Sequence, residues 1–82
     1  MDRTALYNKL ADILVDQLSI KKESITETSL IAGDLGADSL DMAEISMMIK
    51  DQFDFDLTDD EAAKIKTVKD IVECVELKLR AD

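Results

Sequence analysis

Three stretches of the chain repeat apolar residues at the spacing of an α-helix, and little between them can interrupt one. Leu6, Leu10, Ile13, Leu14 and Leu18 share a face of the first stretch, Met42, Ile45, Ile49 and Phe53 of the second, and Val68, Ile71, Val72, Val75 and Leu79 of the third. Two glycines and no proline in 82 residues leave few breakers, while leucine, isoleucine, alanine, lysine and the acids are plentiful. The pattern predicts an all-α bundle of three longer helices, with a short helix between the second and the last and a long first loop. At this length, with 46% apolar residues, residues 1–82 are expected to form a single domain with one modest core.

Capping residues set the expected boundaries. The first helix begins near Asp2 to Thr4, turns Lys9, Asp12 and Asp16 to other faces, and packs Tyr7 with its hydroxyl at the rim. The polar connection over residues 19–37 is longer than most and must be pinned, with Ile20, Ile25, Leu30, Ile31 and Leu35 as the pins. Ser24 and Glu27 have the spacing of a capping box and predict a single helical turn. The second helix runs from Ser39 to Phe53 or Asp54. Thr58 and Glu61 make a capping box for the short helix, about Asp59 to Lys64, and Thr67 with Asp70 starts the last. Lys78 and Arg80 suit the negative end of that last helix.

The stretch Asp34-Leu35-Gly36-Ala37-Asp38-Ser39-Leu40-Asp41 concentrates the chemistry. Gly36 permits a tight turn, Asp38 is a strong N-cap, and Asp41 three residues later faces the positive end of the helix dipole. Ser39 is then the first helical residue, its hydroxyl among N–H groups that lack intrahelical partners, a setting that favours a phosphoester. Alone, a serine in a first turn is more often a solvated capping residue. It is no hydrolase nucleophile either, because the chain has no histidine and no lysine lies near it in sequence to act as base. Chemical importance at Ser39 therefore means an attachment point.

The same eight residues, followed by Glu44 and Phe53, resemble the acyl carrier proteins of type II fatty acid synthesis. Ile25-Thr26, Asp59-Asp60-Glu61-Ala62 and Thr67-Val68 also fall where that family has similar residues, so the resemblance covers nearly the whole chain. It implies an acyl-carrier-type four-helix bundle in which Ser39, with Asp38 as its motif neighbour, receives 4′-phosphopantetheine from coenzyme A. The arm's thiol then carries acyl groups as thioesters, and the chain has no catalytic activity of its own. The implied partners are a phosphopantetheinyl transferase (holo-acyl-carrier-protein synthase), fatty acid synthase enzymes and acyltransferases, met by a monomer in the cytoplasm. Ile31 stands where the family tends to have phenylalanine, Gly33 where an acid is common, Thr58 where proline often occurs, and Lys50 interrupts an otherwise acidic helix end. Carriers for polyketide or specialised lipid synthesis share the motif. A different class, a small acidic helical adaptor with Ser39 as a cap or phosphorylation site, stays open on the residues alone.

Charge and exposed apolar residues suggest how partners are met. The formal net charge is −9, and between Asp34 and Glu61 ten acids face the single Lys50, an arrangement unsuited to nucleic acid. On the outer side of the second helix Leu40, Ala43 and Met47 form a narrow strip with Glu44 and Asp51; together with Asp41 they are the expected docking residues. Met42, Ile45 and Ile49 are the expected lining of a pocket for the acyl chain. Asp54, Asp56 and Thr58 have calcium-loop spacing, but Asp59 and Ile65 occupy the positions that need glycine and glutamate, so no metal site is assigned. The single Cys74, without histidine, excludes an internal disulfide or a credible zinc site and is read as a partly buried neighbour of the last helix's stripe. No apolar run reaches membrane-spanning length, and Met1 opens a chain lacking the features of a signal or transit peptide.

Overall fold

Helix α1 spans Arg3–Leu18, starting where the Asp2 carboxylate accepts the Ala5 N–H at 2.8 Å and ending at Ser19 in a left-handed conformation. The structure, a computed structural model, describes residues 2–54 and 56–80; Met1, and Phe55 within the stretch of calcium-loop spacing, lie outside them. After a 3-10 turn at Lys22–Ser24, α2 runs Ser39–Phe53, the short α3 Asp59–Lys64 and α4 Val68–Arg80. The helix starts predicted from Asp38 and Thr58 are present, each as a reciprocal capping box. At α4 the Asp70 carboxylate accepts the Thr67 and Lys66 N–H groups, and Thr67 Oγ1 accepts the Asp70 N–H. Those bonds hold the Asp70 carboxyl below its ordinary pKa, the Thr67 N–H contributing most.

Buried side chains of α1 lie at the centre. Leu6, Leu10, Ala11, Ile13 and Leu14 pack with Ile45 and Ile49 of α2 and with Val68, Ile71, Val72 and Val75 of α4. Helices α1 and α2 are antiparallel: Gln17 Nε2 donates to Asp41 Oδ1 at 3.1 Å near one end, and Lys9 Nζ stands 6.0 Å from the Phe53 ring centre near the other. Tyr7 is half-buried and its hydroxyl donates to the Ile25 carbonyl at 3.1 Å, fastening the returning loop to α1. None of the residues in α3 is fully buried, so that helix depends on its ends for its position.

The long loop is pinned both by apolar residues and by main chain. Ile25, Ile31 and Ala37 are buried, Ile20 and Leu35 half-buried. Ile31 N–H donates to Lys66 C=O, Val68 N–H to Ser29 C=O and Lys69 N–H to Glu27 C=O, tying the loop to the α3–α4 junction. Leu30 departs from expectation at 45% exposed. It pairs with Thr67 in an antiparallel bridge between Ser29 and Ile31, and alternation along an extended segment turns those two inward and Leu30 outward. Ser24 also departs: it closes the 3-10 turn instead of capping a later one, and Glu27 pairs with Arg3 at 3.6 Å. Leu79 is in phase with the stripe of α4 yet 39% exposed, because it lies beyond Glu76, the residue that holds Arg3 at the start of α1.

Candidate functional site

The head of α2 is a hydrogen-bonded cap around an accessible serine. Asp38 has an extended backbone and its carboxylate accepts the Asp41 N–H at 2.9 Å, while Asp41 Oδ2 accepts the Asp38 N–H at 3.1 Å. Asp41 Oδ1 takes the Gln17 amide, so both of its oxygens are engaged. The Asp38 N–H, then Gln17, hold its carboxyl below the usual carboxylate range. Gly36, at φ 79°, turns the chain into this cap in the left-handed region that glycine enters without penalty. Ser39 follows directly, exposed, and among the described residues its hydroxyl has no hydrogen-bond partner.

Ser39 is on the wall of a groove of about 750 Å³ between α2 and α3. One side is Met42, Ala43 and Ser46 of α2; the other is Leu57 with Ala62 and Ala63, and Ala32 and Ala37 come from the loop. Its surface is mainly apolar and built from small side chains, and the Ser46 hydroxyl is satisfied by the Met42 carbonyl at 3.0 Å. A second depression of about 340 Å³, lined by Leu30, Ile31, Gly33, Ile65 and Lys66, shares Ala32, Met42 and Ala62 with the first. Of the residues read from the sequence as pocket lining, Met42 is on the wall of both, whereas Ile45 and Ile49 sit behind it in the core at 2% and 0% exposure. Leu57 and Ala63 had no sequence signal beyond lying in or beside a short helix, and Ala62 was read only as part of the family resemblance, not as a wall residue.

Beside the groove, with Ala43 common to both, α2 exposes the strip of residues read from the sequence. Leu40 is 76% and Met47 67% exposed, Ala43, Glu44 and Asp51 are exposed, and Asp41 is half-buried and committed to the cap. Lys50 pairs with Asp56 at 3.2 Å, which reduces the negative field at that end of the helix. On the far side of α3, Lys78 Nζ lies 2.8 Å from Glu61 and 3.4 Å from the Asp56 carbonyl. Lys78, then the Thr58 N–H, hold the Glu61 carboxyl below its ordinary pKa. Cys74 is half-buried nearby, and burial, with Glu61 adding to it, pushes its thiol up, the reverse of what a reactive thiolate needs. Among the described residues no group of three or more Asp, Glu or Cys is placed to hold a metal ion, and no helix is long and apolar enough to cross a membrane.

Residues 8–75, which contain the capped serine and both walls of the groove, match the family described as Phosphopantetheine attachment site. An acyl carrier protein of Syntrophobacter fumaroxidans is 45% identical over 71 residues, covering 87% of this chain and 88% of that protein. One from Lactobacillus acidophilus is 42% identical over 72 residues, covering 88% and 90%. A solved Mycobacterium tuberculosis chain described as an acyl carrier protein superposes with a TM-score of 0.82 at 26% identity, over 88% of this chain and 96% of that one. The helical architecture, the matched attachment domain and relatives aligned almost end to end agree, and the chain belongs to the acyl carrier proteins, carriers with a phosphopantetheine attachment site.

Proposed function

We propose that Ser39 is the attachment residue and that the chain, acting as one domain without catalytic activity of its own, carries growing acyl groups in fatty acid synthesis. The observation that carries this reading is an exposed hydroxyl at the head of α2, without a hydrogen-bond partner among the described residues and on the wall of a mainly apolar groove. The residues suit 4′-phosphopantetheine: the first-turn N–H groups and the helix dipole favour a phosphodiester at Ser39, and the groove offers cover to an aliphatic chain. When bound, that group supplies a thiol able to hold acyl chains as thioesters.

In the loading reaction Ser39 Oγ bonds to the pantetheine-side phosphorus of coenzyme A as the phosphoanhydride bond breaks. Adenosine 3′,5′-bisphosphate leaves, and the hydroxyl proton passes to a base of the transferase, since this chain has no histidine. Asp38 and Asp41 hold the first turn in place during that exchange. Glu44 and Asp51 draw basic surfaces of the transferase, of synthase enzymes and of acyltransferases toward α2, and Leu40 and Met47 give them an apolar contact small enough to release. Incubation with coenzyme A and a broad-specificity phosphopantetheinyl transferase, followed by intact-mass measurement, tests the reading. Wild type should gain one phosphopantetheine and Ser39→Ala none while keeping its helical circular dichroism; a gain by the variant would place attachment elsewhere.

A further inference from the structure

Asp41 is held by a residue of another helix. Gln17, near the end of α1, donates to Asp41 Oδ1 at 3.1 Å, and the other oxygen accepts the Asp38 N–H at 3.1 Å, so one carboxylate links α1 to the N-cap residue next to Ser39. A cap alone fixes the first turn of α2 internally and leaves it free to tilt on the core. Ala37 is buried at 7% exposure before the cap and Ile45 at 2% well after it; between them Gln17 supplies the only hydrogen bond from α1 to this turn among the described residues. Gln17 is half-buried, and its neutral amide donates to the carboxylate without adding charge to the site.

We infer that Gln17 is a positioning residue for phosphopantetheine attachment: through Asp41 it fixes where the Ser39 hydroxyl stands when the transferase binds. The inference rests on Ser39 being the attachment residue. Gln17 is half-buried and acts through Asp41, so its loss should slow the transfer step more than it raises the KM for the carrier. Gln17→Met keeps length and loses the donor; Gln17→Lys keeps a donor within reach of the carboxylate.

The single-turnover rate of transfer from coenzyme A to purified chain should fall about tenfold in Gln17→Met, the size of one hydrogen bond to a charged group. Gln17→Lys should recover most of that loss, and in an Asp41→Asn background Gln17→Met should have a much smaller effect. Amide exchange at Asp41 and Met42 should quicken in Gln17→Met with that at Ile49 unchanged. A Gln17→Met rate equal to wild type, or a loss shared equally by Gln17→Lys, would overturn the inference. Those outcomes leave Ser39 untouched as long as wild type loads and Ser39→Ala does not, whereas loading of Ser39→Ala would remove the premise itself.

Discussion

Ser19 and Asp54 end α1 and α2 with a left-handed backbone, at φ 55° and 62°, and each donates its N–H back into the last turn, to Val15 and Lys50. That conformation presses a Cβ against the neighbouring carbonyl, and a residue other than glycine pays roughly 1–2 kcal/mol for it. Glycine gives part of that back through the larger entropy it loses on folding. Ser19→Gly should therefore stabilise the fold by about 0.5–1 kcal/mol, read as a higher urea midpoint at unchanged m-value; a lower midpoint would mean that the serine side chain contributes more than the strain costs. The end of α2 was read at Phe53 or Asp54 and lies there, but the left-handed backbone at Ser19 and Asp54 was not foreseen, because neither position carries the glycine that usually marks it. The N-caps were legible for the opposite reason: Asp38–Asp41, Thr58–Glu61 and Thr67–Asp70 are short-range pairs of the right chemistry. Gln17–Asp41 and Lys78–Glu61 join residues far apart in the chain, and no local pattern announces such partners.

Helix bounds were therefore readable and helix placement was not. Glu44→Lys tests the part of α2 that its own periodicity defines: it should slow association with the transferase at low salt, with the difference from wild type shrinking as salt is added. Equal rates across the salt series would remove the acidic strip from recognition. The groove is a different matter, since its inner wall depends on where α3 lies, and Ile45 and Ile49, which periodicity points inward, are consumed by the core. Helix α3 has six residues, none fully buried, so its capping box and Lys78 matter more than they would in a longer helix. Lys78→Ala should speed amide exchange in α3 several-fold and leave α1 unchanged. Glu61 has a depressed pKa when folded, so its contribution is present above the unfolded value and is lost as pH falls through the folded one. Without Lys78 the folded pKa rises toward normal, and loosening of α3 should begin at a higher pH than in wild type. Identical exchange profiles would show that α3 is held by its apolar contacts alone.

For the molecule as a whole, one small core is set against a formal charge of −9, with all of the excess arising between Asp34 and Glu61. Ion pairs such as Lys50–Asp56 and Lys78–Glu61 relieve only part of that repulsion, so added salt should raise the melting temperature. A chain tethered at Ser39 acts on the same balance through burial. Each methylene withdrawn from water is worth roughly 0.8 kcal/mol, and a group that binds the folded form but not the unfolded one raises its stability. The groove at Ser39 and the depression bounded by Ile31 and Ile65 share Ala32, Met42 and Ala62 on their walls, so a chain tethered at Ser39 would fill the groove first and reach the second space only past those side chains. At fixed pH and salt the melting temperature should rise from the holo form through acyl forms of increasing length, then level off once both spaces are occupied. Ala62 lies on the shared wall, where leucine would obstruct a chain crossing from one space to the other. Ala62→Leu should leave the gain from short chains nearly intact and bring the plateau at a shorter length. Equal melting temperatures for holo and medium-chain forms would place the chain outside the groove, while a plateau unmoved by Ala62→Leu would mean that the inner depression takes no part in sheltering it.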